Sequence, residues 1–71
     1  MTQKKIQVFI NGEKKYFSEN NSLFFILNCM AIDRDGIAIE INHTVVPKSQ
    51  YKNIIIKNDD KIEIVQFIGG G

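Results

Sequence analysis

The sequence is poor in the residues that build rigid or reactive sites, having one cysteine, one proline and one histidine. A lone cysteine cannot close an internal disulfide, so a reducing compartment is expected, a cytoplasm or a plastid stroma. The histidine, His43, has no partners at metal-ligand spacing, and no metal site is expected. Charge of one sign is not in excess either: nine Lys and Arg stand against eight Asp and Glu, a net +1. Nucleic-acid binding, which draws on a strong basic stripe, is therefore not expected. The longest apolar stretch, "LFFILNCMAI", is too short to span a bilayer, and no basic leader region opens the chain, so neither a membrane span nor a signal peptide is expected.

What is present describes one small folded domain. Seventy-one residues lie near the lower limit for a single core, and 44% hydrophobic with 24% charged residues is a globular rather than a disordered composition. In "KKIQVFINGEKKYF", Ile6, Val8 and Ile10 alternate with Gln7 and Phe9, the period of a half-buried strand. Asn11-Gly12 then supplies the positive φ angles of a tight hairpin turn. "SENNS" offers Asn21 or Ser22 as a helix cap. A helix is expected over about residues 22–32, with Leu23, Ile26, Leu27 and Met30 on its apolar face and Gly36 in the turn that follows.

"IAIEIN" alternates again, with Ile37, Ile39 and Ile41 on one face and Ala38, Glu40 and Asn42 on the other. "HTVVPKSQYKN" is expected as an irregular crossover, because proline forbids a continuous central strand, with a short helical turn over 49–53. "III" reads as buried or as a short edge strand. "KIEIVQFI" is the final strand, with Ile62, Ile64 and Ile68 facing one way and Val65 and Phe67 the other. Strands gathered against one crossing helix make an α+β two-layer domain. A crossover through that helix would set a later strand parallel to the first. This is the ubiquitin-like β-grasp arrangement, a mixed sheet of four to five strands.

Several residues are candidates for chemistry, and most have a simpler role. Cys29 lies mid-helix without a basic neighbour in sequence, and reactive thiols need an electropositive setting. Asp33 with Asp35, and Asp59 with Asp60, fall in turn sequences that favour Asp locally. Lys4, Lys5, Lys14 and Lys15 suit a solvated hairpin that protects a sheet edge. Phe9, Val65 and Phe67 are more informative. They fall on the face away from the helix and, in a sheet where first and last strands are neighbours, are expected to touch. With Ile68 they would form an apolar patch leading into the final glycines.

Over nearly its whole length the chain resembles the ThiS-type sulfur carriers of the thiamin pathway. The resemblance rests on "VFINGE", "SLFFIL", "IEINHTVVPKSQY" and "NDDKIEIVQFIGGG". It implies a carrier without catalytic activity or cofactor of its own, comprising a β-grasp domain over 1–68 and a flexible tail over 69–71. In such a carrier the Gly71 carboxylate, next to Gly70 and Gly69, is adenylated by a ubiquitin-activating-type enzyme. It then takes sulfur that originates from a cysteine desulfurase, and the thiocarboxylate serves thiazole synthase. The sequence departs from the family pattern at Phe24 and Phe25, where polar residues are expected, and at Gly69, which makes the tail a triple glycine.

The tail itself suits that chemistry. A carboxylate is a poor electrophile until joined to a leaving group such as AMP. Three extended residues reach roughly 10 Å, and glycine lets a backbone lie close against another protein. From the residues alone an unstructured end remains an alternative. Three other functions stay open at this point: the small subunit of molybdopterin synthase, a ubiquitin-like modifier joined to lysines, and a binding module with an incidental tail.

Overall fold

The structure, a computed structural model, describes residues 4–66. Strands β1 (Lys5–Ile10) and β2 (Glu13–Ser18) form the expected hairpin, in a register that runs from Lys5 opposite Ser18 to Ile10 opposite Glu13. Its turn has φ of 50° at Asn11 and 83° at Gly12, the doubly left-handed geometry that matches strand twist. Strands β3 (Ile37–Ile41) and β4 (Thr44–Val46) follow the helix, and β5 (Lys61–Gln66) is the last described element. The sheet order is β2-β1-β5-β3-β4, with β1 and β5 parallel and the other pairs antiparallel. One helix against a five-stranded mixed sheet is the β-grasp arrangement.

The irregular crossover expected from His43 onward contains a strand. Thr44–Val46 is β4, turned back on β3 by Asn42 and His43 at φ of 51° and 69°. Asn and His both tolerate this region, but without glycine the pair gives a weak hairpin signal. Pro47 ends β4 after three residues at the sheet edge, where a missing N–H interrupts no ladder. The short helical turn is a 3-10 turn at Lys48–Gln50, slightly earlier than expected.

Helix α1 covers Leu23–Cys29, shorter than its apolar pattern suggested. Ser22 caps it, its hydroxyl accepting the Phe25 N–H at 3.1 Å. The two preceding amides are satisfied from the crossover: Leu23 N donates to the Ile54 carbonyl at 2.8 Å and Phe24 N to that of Tyr51 at 2.9 Å. The far end closes well before Gly36. Ala31 adopts φ 55° and donates to Asn28, while Ile32 donates to Leu27, both at 3.0 Å. This pair of bonds is the Schellman closure, with alanine where glycine is usual.

The core lies between α1 and the inner sheet face: Val8, Ile10, Leu23, Ile26, Leu27, Ile37, Ile39 and Ile62 are all buried. The remainder comes from the crossover and β4, through Val46, Tyr51 and Ile56. Phe24 packs on this core from the helix flank, near Tyr51 as its wheel position suggests, whereas Phe25 is 44% exposed. Burial pushes the Tyr51 phenol above its ordinary value of 10.0.

Two outcomes follow from these local geometries. Ala31→Gly should raise stability by about 1 kcal/mol in urea denaturation, since a left-handed alanine carries a steric cost that glycine avoids. Tyr51 should ionise late in an alkaline absorbance titration, and Tyr51→Phe should remove that late component. The unfolded chain ionises this phenol at lower pH than the folded one. The neutral buried phenol's stabilisation is therefore whole below pH 10 and is lost as pH rises through the folded value.

Candidate functional site

Strand β5 leads to Gln66, the last described residue. It lies between β1 and β3, but its ladder with β1 is short, with only Phe9 opposite Lys61 and Ile10 opposite Ile62. Side chains lengthen it. The Asn11 carboxamide lies along β5 as an added strand residue would, its Oδ1 accepting Ile64 N at 2.7 Å and its Nδ2 donating to the Ile64 carbonyl at 3.2 Å. Asn11 N also donates to the Ile62 carbonyl at 2.9 Å. On the other flank Asn42 does the same for Lys61: Oδ1 accepts Lys61 N at 3.0 Å, and Asn42 N donates to the Lys61 carbonyl at 2.8 Å. Each hairpin asparagine thus shapes a turn and braces the central strand. The Asn-Gly pair signals the turn in sequence, but nothing local signals the reach of the amide.

The outer sheet face carries two of the expected contact residues. Val65 is 51% exposed and opposite Ala38, and Phe9 is half-buried. They do not form the single cluster expected of them. The register sets Phe9 between Lys14 and Lys61, four residues along β5 from Val65, or about 13 Å. Beside Val65 the register instead brings Glu63 directly opposite Glu40, with Val45 opposite Glu40 on the next strand. Alternation in "IAIEI" and "KIEIV" already puts both glutamates outside; their meeting depends on register. Phe67, Ile68, Gly69, Gly70 and Gly71 lie outside the described residues.

The remaining candidates occupy structural positions. Asp33 accepts the Asp35 N–H at 2.9 Å, and Asp60 accepts that of Lys57 at 2.8 Å, both closing turns. Asp59 accepts from the Gln7 side chain at 2.8 Å. Lys15 pairs with Glu13 at 3.2 Å. Cys29 is exposed on α1, and His43 occupies the β3–β4 turn. Among the described residues no three His, Cys, Asp or Glu side chains gather as a metal site would require. None of the described helices is long and apolar enough to cross a membrane.

The ThiS family profile matches residues 6–71. A protein of Porphyra purpurea bearing the description "Uncharacterized protein ycf40" is 42% identical over 71 residues, covering all of both chains. A thiazole synthase of Paramagnetospirillum magneticum is 39% identical over 66 residues, which are 93% of this chain and 20% of that one. The sulfur carrier protein ThiS of Escherichia coli is 26% identical over 66 residues, 93% of this chain and 100% of that one. Among solved structures, a thiamine biosynthesis protein (ThiS) from Geobacter metallireducens superposes with a TM-score of 0.80 at 20% identity, covering 93% of this chain and 100% of that one.

The Asn11 brace can be separated from its turn. Asn11→Gly keeps the positive φ available but deletes the carboxamide. It should cost about 1 kcal/mol and accelerate hydrogen exchange at the Ile64 amide, leaving the Lys61 amide, held by Asn42, as slow as before.

Proposed function

Because the chain belongs to the ThiS family, matched through to Gly71, we propose that it is a sulfur carrier of thiamin biosynthesis whose working group is the Gly71 carboxylate. The observation that carries this reading is the extent of the match, which takes in the glycine tail as well as the folded domain. The body, residues 1–68, is then a handle, and Gly69, Gly70 and Gly71 form a slender arm that enters a partner's active site.

The chemistry divides into two displacements. A carboxylate oxygen of Gly71 attacks the α-phosphorus of ATP in a ubiquitin-activating-type enzyme, releasing pyrophosphate and forming the acyl-adenylate. Hydrosulfide, its sulfur originating from a cysteine desulfurase and released from a persulfide by a thiol reductant that becomes a disulfide, then attacks the acyl carbon, expels AMP and gives up its proton. The product thiocarboxylate delivers its sulfur to thiazole synthase. This chain supplies the acyl group and its reach, while ATP and the catalytic groups belong to the partners. A related segment within a longer protein named thiazole synthase supports that enzyme as acceptor, and favours this pathway over molybdopterin synthesis. Val65, Phe67 and Ile68, which precede the arm in sequence, are the residues we assign to partner docking, with Phe9 as a separate outlying contact.

Docking must offset the ordering of the arm, about 1–2 kcal/mol for each residue fixed. The test is intact-mass analysis after incubation with ATP, a ThiF-like adenylating enzyme and a sulfur source. One oxygen-to-sulfur exchange at the C-terminus is expected in the wild type and none after deletion of Gly71, while both proteins unfold at the same urea concentration. Lysine conjugates in place of the exchange would identify a modifier instead.

A further inference from the structure

A groove of about 420 Å³ lies between α1, the loop before β3 and the 3-10 turn, lined by Phe24, Arg34, Asp35, Lys48, Ser49, Tyr51 and Lys52. Three cations face one carboxylate there, in a chain whose overall charge is only +1. Two of the cations are held in place by an aromatic ring. The Arg34 guanidinium lies 4.3 Å from the centre of the Phe24 ring, and the Lys52 ammonium 4.8 Å. Arg34 is fixed further by donating to the Asn28 side chain at 2.8 Å. Lys48 is 3.7 Å from Asp35 in an open, solvated pair. Cations gathered on one ring lose less freedom when they meet an anion, so the groove is prepared for negative charge.

Its position matters as much as its charge. Ile37 pairs with Gln66, the last described residue of β5. Arg34 is three residues before Ile37, so, with one strand spacing added, the groove opens within roughly 15 Å of Gln66. The donors also suggest which anion fits. Phosphate sites are usually built on free backbone N–H groups. Those of the adjoining first turn of α1 are already taken, by Ile54, Tyr51 and Ser22. What remains is a set of long cationic side chains beside an aromatic ring, which suits carboxylates on another protein and, through the planar guanidinium, their two-oxygen geometry.

We propose that this groove docks an acidic segment of the enzyme that receives the arm, with an Asp or Glu carboxylate bridging Arg34 and Lys52. The proposal rests on the sulfur-carrier reading for the identity of that enzyme, though not for the binding of acidic peptide itself. Phe24, which departs from the polar pattern expected at its position, then serves as the platform that sets the two cations.

Isotope-labelled full chain can be titrated, by amide chemical shift, with a short glutamate-rich peptide and separately with inorganic phosphate. Saturable shifts are expected with the peptide at Phe24, Arg34, Ser49 and Lys52, weakened about ten-fold in Arg34→Glu/Lys52→Glu. An equal response to phosphate, or equal shifts at Lys4, Lys5, Lys14 and Lys15, would overturn the proposal. Binding to thiazole synthase and to the adenylating enzyme is then measured for the same pair of proteins at low and high salt. The double variant should bind one of these enzymes about ten-fold more weakly and with less salt dependence. Unchanged affinity for both sinks the groove as a docking site and leaves the carrier reading intact. Failure of the wild type to form a thiocarboxylate would instead sink the carrier reading, while the peptide titration still decides the groove.

Discussion

Two carboxamides keep β5 in the middle of the sheet. The parallel contact with β1 has only two residue pairs, yet this contact joins the N-terminal hairpin to the rest of the sheet. Asn11 adds a further rung beyond the end of β1, and Asn42 secures the opposite end of β5 from the β3 side. Each bond contributes about 1 kcal/mol net, but leaving the β5 amides unpaired would cost at least as much. Both asparagines can do this because they sit at the first turn position in left-handed geometry, where the side chain stands beside the neighbouring strand.

The helix depends on the crossover in a comparable way. Seven residues are too few for a stable isolated helix, so α1 persists through packing and capping. Its first amides are bound to the crossover carbonyls of Ile54 and Tyr51, and its apolar side chains meet Tyr51 and Ile56 in the same core. The 3-10 turn, α1 and the cationic groove are therefore one mechanical unit, and Phe24 is fixed by the bonds that start the helix.

The fold was largely legible in the sequence because its periodicities are clean. Alternation in "IQVFI", "IAIEI" and "KIEIV" assigns Val8, Ile10, Ile37, Ile39 and Ile62 to the core, and Asn11-Gly12 announces the first hairpin. What escaped depended on contacts between distant segments. Strand β4 is three residues long before a proline and follows a turn without glycine, so its signal is weak until β3 is beside it. Helix α1 stops at Cys29 because Ala31, just past the cap, accepts a positive φ against its own preference. Facing is set by a period of two, which puts both Phe9 and Val65 on the outer surface. Register is not, and register decides that Glu63 meets Glu40 while Phe9 lies apart beside Lys61. The cations on Phe24 come from two loops, 34 and 52, whose meeting no local pattern encodes.

The central position of β5 also bears on force. A pull on the C-terminal end of β5 along its own axis would act on a strand bonded on both flanks. Ladder bonds run across the strands, so such a pull loads several of them together in shear. An edge strand pulled sideways would open one bond at a time. Because β1 runs parallel to β5 and β3 antiparallel, the load is divided between the first hairpin and the second. A domain of this size can thus be tugged by its end without being peeled apart.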